Sequence, residues 1–386
     1  MHILSFVSLL RTTQKTKSAT FTILFLILSL FSSAASASDN NFTPPVYSYE
    51  KGVVEKVSEG AGSLSEPKSV KVRIKSGKYK GRSVVTQHME SSGMMGAKMV
   101  LKPGDRVILY VEEDPTKAES PDGSPIFNIA DYERSGPLYA LIGAFCLLLV
   151  LIGGRKGLKA LVSLALTIGL IFLVVIPLSV RGFDPMFVAT AVCAVVTMIV
   201  FRLVSGKTLK SAAAAAGTII GIIIAGVIAA WVGNIINLSG LSSEESKMLF
   251  YSMELPLNFR GLLFAGILIG ALGAVMDVAM SIASSISEVK RVHPEADFSA
   301  LFRSGMNVGR DVMGTMSNTL ILAYTGSSLP LLLLLSYGNM PILKALNLEL
   351  ISEEILRALS GSIGLILCIP ATAAITAFLL CAKKEH

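Results

Sequence analysis

The sequence predicts a mainly α-helical polytopic membrane protein, with about seven spanning helices and a small β-barrel-like domain ahead of them. Three observations carry this expectation. Hydrophobic residues make up 52% of the 386 and charged residues only 16%, too apolar a balance for one water-soluble domain. From Pro137 onward, apolar runs of near-spanning length recur, separated by short polar segments. Between Asp39 and Arg134, by contrast, apolar and polar residues alternate in short runs bounded by turn residues.

At the N-terminus, Arg11, Lys15 and Lys17 precede a short apolar run from Phe21 to Phe31, and Ala35-Ser36-Ala37 supplies small residues for cleavage. Residues 1–37 therefore read as a signal peptide, because the apolar run is about half of what a spanning helix needs. The formal charge of +7 includes these three basic residues. The remaining excess belongs in loops, where it reports orientation. Cys146, Cys193, Cys368 and Cys381 all lie in apolar stretches, so no disulfide framework is implied.

Residues 38–136 read as an extracytoplasmic β domain of OB-like or SH3-like type. In Val70-Lys71-Val72-Arg73-Ile74-Lys75 every second residue is apolar, the signature of a half-buried strand. Similar runs near 52–57, 82–88, 106–112 and 126–132 are separated by Gly-, Ser- and Pro-containing turns. The polar side of the second strand, Lys71, Arg73 and Lys75, continues into Lys78, Lys80 and Arg82. A charge run is usually a solvated face, and outside the cell nucleic acid is not expected as a partner. The fitting partners are an anionic envelope polymer, lipid headgroups or a protein at this domain. His88 stands alone, so no metal site is read there.

Residues 137–386 read as the transmembrane domain, with apolar stretches at 137–153, 158–178, 186–201, 211–232, 261–283, 312–335 and 359–381. With the N-terminal domain outside, twelve basic residues fall in cytoplasmic segments and five in external loops. That agrees with the positive-inside rule and places the C-terminus in the cytoplasm. Gly217 and Gly221, and again Gly266, Gly270 and Gly273, suit close helix packing. The external segments 242–253 and 350–359 carry Ser and Glu ahead of apolar residues, and read as amphipathic helices on the membrane surface.

A charge within lipid costs about 2.5 to 3.5 kcal/mol by insertion scales, so each asks for a reason. Asp277 lies deep in the fifth stretch, and Ser281, Ser284 and Glu288 follow at offsets that share its helical face. The sixth helix repeats the pattern with Asn307, Asp311, Gly314 and Asn318, with Arg310 beside them. At 1.5 Å per residue, Asp277 and Asn318 come to comparable depths, and the two stripes are expected to face each other. Tyr324-Thr325-Gly326-Ser327-Ser328 followed by Pro330 interrupts this helix. The interruption reads either as the broken helix of a transporter site or as a proline kink with hydroxyls bonded back to the helix. Asp277 likewise reads either as a functional carboxylate or as a structural partner of Arg310.

Three stretches give the chain a likeness to a known family: Gly270-Ala271-Leu272-Gly273-Ala274-Val275-Met276-Asp277-Val278-Ala279; Gly309-Arg310-Asp311-Val312-Met313-Gly314-Thr315 with Ser317-Asn318-Thr319-Leu320; and Glu353-Glu354-Ile355-Leu356-Arg357 running into Gly361-Ser362-Ile363-Gly364 and Ile369-Pro370. In these the sequence resembles the YibE/F family of multi-pass bacterial membrane proteins. The resemblance spans the membrane domain and extends to the β domain. It implies the architecture and a location in the inner or plasma membrane of a bacterial cell, and it carries no substrate.

Two function classes remain. One is a secondary transporter or ion-coupled permease for a small solute or ion, with its polar site between the fifth and sixth helices. The other is a non-transporting envelope assembly or scaffold factor acting through the β domain. An enzyme is not expected. There is no His-Glu-x-x-His, Gly-x-Ser-x-Gly, Gly-x-Gly-Asp or phosphate loop, hence no catalytic residue, cofactor or metal is assigned.

Overall fold

The computed structural model describes residues 47–58, 68–89, 99–112, 125–252, 257–338 and 340–382. The signal peptide expected at 1–37 lies outside these residues. The chain forms two compact units, Met1–Ala140 and Leu141–His386, each described by itself below.

The first unit is a five-stranded antiparallel sheet of β1 (Tyr47–Val57), β2 (Lys68–Ile74), β3 (Ser83–His88), β4 (Arg106–Glu112) and β5 (Ile126–Tyr132), in the order β3-β2-β1-β4-β5. The eleven-residue β1 serves two partners, pairing β4 through Tyr47–Val53 and β2 through Gly52–Val57. A bulge at Glu55 bends it between them. The bend curls the sheet into a half-barrel, in which β3 approaches β5. Alternation in β2 is strict: Val70, Val72 and Ile74 are fully buried while Lys71 and Arg73 are exposed. Burying each such side chain is worth about 1.5 to 3 kcal/mol, and Val54, Met99, Leu101, Val107 and Leu109 join them in the core.

One buried acid organises the β2–β3 turn. Glu50 accepts hydrogen bonds from the Ser76 hydroxyl at 2.8 Å and the Lys78 amide at 3.1 Å. Gly77 sits against this carboxylate with φ +65°, where a Cβ would both strain the backbone and collide with Glu50.

The second unit contains α1 (Ser135–Leu170), whose first residues belong to the preceding unit, then a π-helical turn (Ile171–Val175), α2 (Ile176–Val180), α3 (Pro185–Val204), α4 (Leu209–Ile235), α5 (Glu244–Ser252), α6 (Phe259–Val292), α7 (Phe298–Ser327), α8 (Leu329–Tyr337), α9 (Ile342–Leu346) and α10 (Glu349–Ala382). Among the described residues, five helical stretches are long and apolar enough to cross a membrane, and six if α7 and α8, bent by 65°, count as one. The first, Ser135–Val180, holds two of the seven stretches expected from the sequence. It is interrupted at Gly154, with φ 52° and ψ −130°. There the chain bends so sharply that a Cβ on Gly157 would collide with the carbonyl of Leu149.

Side-chain caps set the helix starts: Asp184 for α3, Thr208 for α4, Asn258 for α6 and Asp297 for α7. Asn258 also donates to Asp184 at 2.8 Å, tying the starts of α3 and α6 together. Helix α10 lies centrally, packed on α4, α6 and α7. Its contact with α4 is made by small residues. A Cβ on Gly217 would collide with Thr372, one on Gly221 would come within 2.9 Å of the Cys368 Cβ, and one on Gly364 within 2.7 Å of the Ala225 Cβ. By contrast, α8 and α9 bury no residue, and α1 buries only Gly157 and Ser163. Apolar surface of this kind suits lipid.

One segment differs from expectation. Residues 350–359 do not form a separate surface helix; they are the opening turns of the 34-residue α10. The cause is tertiary: Glu349 and Glu353 hold the loop after α4 through Ser239, Gly240 and Ser242. The segment 242–253 does contain a short helix, α5, with Glu244 and Glu245 in its first turn.

Candidate polar site on the sixth and seventh helices

Helices α6 and α7 run antiparallel. Gly305 lies against Ile286, Gly309 against Ile282, and Gly270 against the Tyr324 hydroxyl, 2.6 Å from where a Cβ would be. Continuing this register sets Asp277 level with Gly314 to Ser317, one residue from Asn318. The two polar stripes therefore reach the same depth, as the residue count along each helix anticipates.

The stripes do not face each other through the helix interface. That interface is apolar, built from Ile282 and Ile286 of α6 meeting Gly305 and Gly309 of α7. The polar groups lie side by side on the outer surface of the pair: Asp277, Ser281 and Glu288 are exposed on α6, as are Asn307, Arg310, Asp311, Asn318 and Thr325 on α7, with Ser284 half-buried. The physical reason is the width of each apolar stripe. Both faces of α6 flanking Val275, Ala279 and Ile282 are needed to pack α3, α4 and α10, which leaves the polar arc outward.

The glycines of this arc are open. A Cβ on Gly266, Gly273, Gly314 or Gly326 would meet nothing within 4 Å. Gly266 and Gly273 are therefore not packing contacts within the chain, unlike Gly217 and Gly221.

The site residues divide by their bonding. Glu288 is held by Arg291 in a two-point ion pair, one arm of it 3.0 Å from Nε to Oε2. Arg310 donates to Asn307 at 3.3 Å, so the bridge to Asp277 considered above does not form. Ser284 donates to the Met280 sulfur at 3.5 Å. Thr325 donates back to the Ile321 carbonyl at 2.8 Å and Ser327 to Tyr324 at 2.7 Å, the bonding of a kinked helix. Asp277, Ser281, Asp311 and Asn318 make no side-chain hydrogen bond or ion pair among the described residues, and stay available to a ligand. Among those residues no cluster of three or more His, Cys, Asp or Glu side chains offers a metal site.

Among the described residues of this unit, four side-chain atoms are buried without a hydrogen-bond partner: Ser317 Oγ, Tyr324 OH, Arg357 Nε and Glu353 Oε1. Ser317 and Tyr324 are two turns apart on the α7 side that meets α6, and Tyr324 lies within electrostatic reach of Arg357 and Glu354. Glu353 is only 5% exposed. Sequence reasoning passed over this second group. An acid followed by another acid and, four residues on, an arginine reads as a solvated helix face; the signal was that Leu356 and Ser360 share the side of Glu353 and are apolar or small.

In the β unit, the basic face is partly neutralised. Glu55 pairs with Lys71 at 3.4 Å and with Arg73. Lys78 and Arg82 instead lie over the Tyr79 ring, 5.3 Å and 5.7 Å from its centroid. His88 is buried with Nε2 3.0 Å from the Met99 carbonyl, a core position.

A family model, that of the YibE/F-like protein, matches residues 141–382. No curated protein and no solved structure matches the chain.

Proposed function

We propose, from the premise that this chain belongs to the YibE/F-like family and is a membrane protein, that it is a secondary transporter or ion-coupled permease of the bacterial cell membrane. The reading follows from the outer face of α6 and α7. The observation that carries it is Asp277, eighteen residues into a spanning-length helix, without a side-chain partner, and level with the open Gly314 and the polar Asn318. A carboxylate at that depth costs about 2.5 to 3.5 kcal/mol against lipid, so the face it occupies lines a hydrated path or is met by a solute or ion. The open glycines on both helices supply room beside it. The basic-residue count supports a cytoplasmic C-terminus and an outward β unit.

The test is flux in proteoliposomes of the full-length protein under an imposed proton or sodium gradient. Asp277→Asn is isosteric and should abolish coupled flux while the protein remains monodisperse. Equal flux in both proteins would remove the carboxylate from the mechanism. Deleting residues 38–134 separates the scaffold reading, which loses all activity, from transport, which retains residual flux.

A further inference from the structure

Among the described residues Glu353 is the most deeply buried acid of the helical unit, and no step assigned to Asp277 uses it. It stands near the start of α10, in the fifth position. One carboxylate oxygen, Oε2, accepts a hydrogen bond from the Ser242 hydroxyl, on the loop between α4 and α5. The other, Oε1, is buried with no donor. The neighbouring groups are otherwise committed. Glu349 accepts from the amides of Ser239 and Gly240. Glu354 pairs with Arg357 at 3.5 Å. From α6, Arg260 donates to the Leu238 carbonyl at 2.6 Å and to Asn234 at 2.9 Å. From α7, Tyr324 brings its unpartnered hydroxyl toward Arg357 and Glu354.

We propose that Glu353 is a proton-binding site, with Oε1 as the atom that takes the proton. An ionised carboxylate with one oxygen shut away from donors is expensive, and adding a proton removes the charge. A metal cation is disfavoured, because it would need several free oxygens where only one is left, and would sit beside the Arg357 guanidinium. Proton binding is balanced simply: the proton leaves water, bonds to Oε1, and the side chain passes from charge −1 to neutral. On release, the carboxylate competes with Glu354 for Arg357, whose Nε has no hydrogen-bond partner. That exchange gives the start of α10 two arrangements that differ by one proton. The use of this proton in coupling rests on the transport reading; the binding site does not.

Lipid-soluble carbodiimides form adducts with protonated carboxyl groups in apolar surroundings. Full-length protein in nanodiscs, treated at about pH 6 and about pH 8 and mapped by mass spectrometry, should carry the adduct on Glu353 and not on Glu354, with several-fold less at the higher pH. Added sodium should not protect it. No adduct on Glu353 at either pH, or protection by sodium, would overturn the proposal. Mapping needs only the wild-type protein, so it decides even if Glu353→Gln does not fold. Proteoliposomes loaded with pyranine then separate the two readings. Loss of proton flux in Asp277→Asn without adduct on Glu353 keeps transport and removes this site. Adduct on Glu353 with flux indifferent to Asp277→Asn does the reverse.

Discussion

Two glycine-lined helix surfaces in the same unit behave in opposite ways. Where α4 meets α10, Gly217, Gly221 and Gly364 are filled to contact by Thr372, Cys368 and Ala225. Along the outer arc of α6 and α7, Gly266, Gly273 and Gly314 meet nothing, and Asp277 lies among them. Small residues at helical spacing thus serve two ends. On the first surface they remove bulk so that backbones can approach. On the second they keep bulk away from a carboxylate. Only the neighbours across the gap distinguish the two.

Bulk added to each surface is the most direct way to break this contrast. Gly217→Val should have the largest effect, because no rotamer avoids Thr372: overpacking of this sort costs about 1 to 3 kcal/mol, and more where backbone must move. It should appear as a drop in melting temperature and loss of monodisperse protein in detergent. Gly273→Val should change stability by less than about 0.5 kcal/mol, yet lower flux through the face that Asp277 shares. Equal destabilisation by the two substitutions would erase the distinction. Gly270→Ala sharpens it from between, since its Cβ would press on the Tyr324 hydroxyl alone; a shift of that flexible side chain should cost little stability.

The smallest expected effect lies in the β unit. Burial raises the Glu55 carboxyl, but the hydrogen bond and charge of Arg73, then those of Lys71, outweigh this and hold it below its ordinary 4.5. A depressed carboxyl stabilises the fold above its unfolded value and loses that contribution as pH falls through the folded one. The protection factors of β1 and β2 amides in the full-length protein, that is, exchange corrected for the intrinsic pH dependence of the amides, should therefore fall slightly as the medium is acidified below about pH 4.5, and Arg73→Ala should blunt the change. Acid-insensitive protection factors in the wild type would show that the pair contributes nothing, as many exposed pairs do.

Much of this was legible from residues alone. The alternation Val70, Val72, Ile74 gave the buried face of β2, because a strand has a side-chain period of two. The apolar runs gave the helices, and counting along Asp277 and Asn318 gave a shared depth that the contacts of Gly305, Gly309 and Gly270 reproduce. What periodicity could not give was which way the polar arcs point, since an arc on one helix says nothing of which neighbours claim the rest of its circumference. Glu353 escaped for a related reason. Its burial depends on Ser242, 111 residues away, and sequence spacing within α10 carries no trace of that loop. Gly266 and Gly273 depart from expectation for the same cause: helical spacing much like that of Gly217 and Gly221, but no neighbour across the gap.

The break at Gly154 has a consequence for where the packed helices begin. Since a Cβ at Gly157 would collide with the Leu149 carbonyl, only glycine lets the second arm leave the first at this angle. A larger residue at position 157 would have to open the bend, and would swing the arm that leads into Ile171–Val175 away from α3, against which that π-helical turn packs.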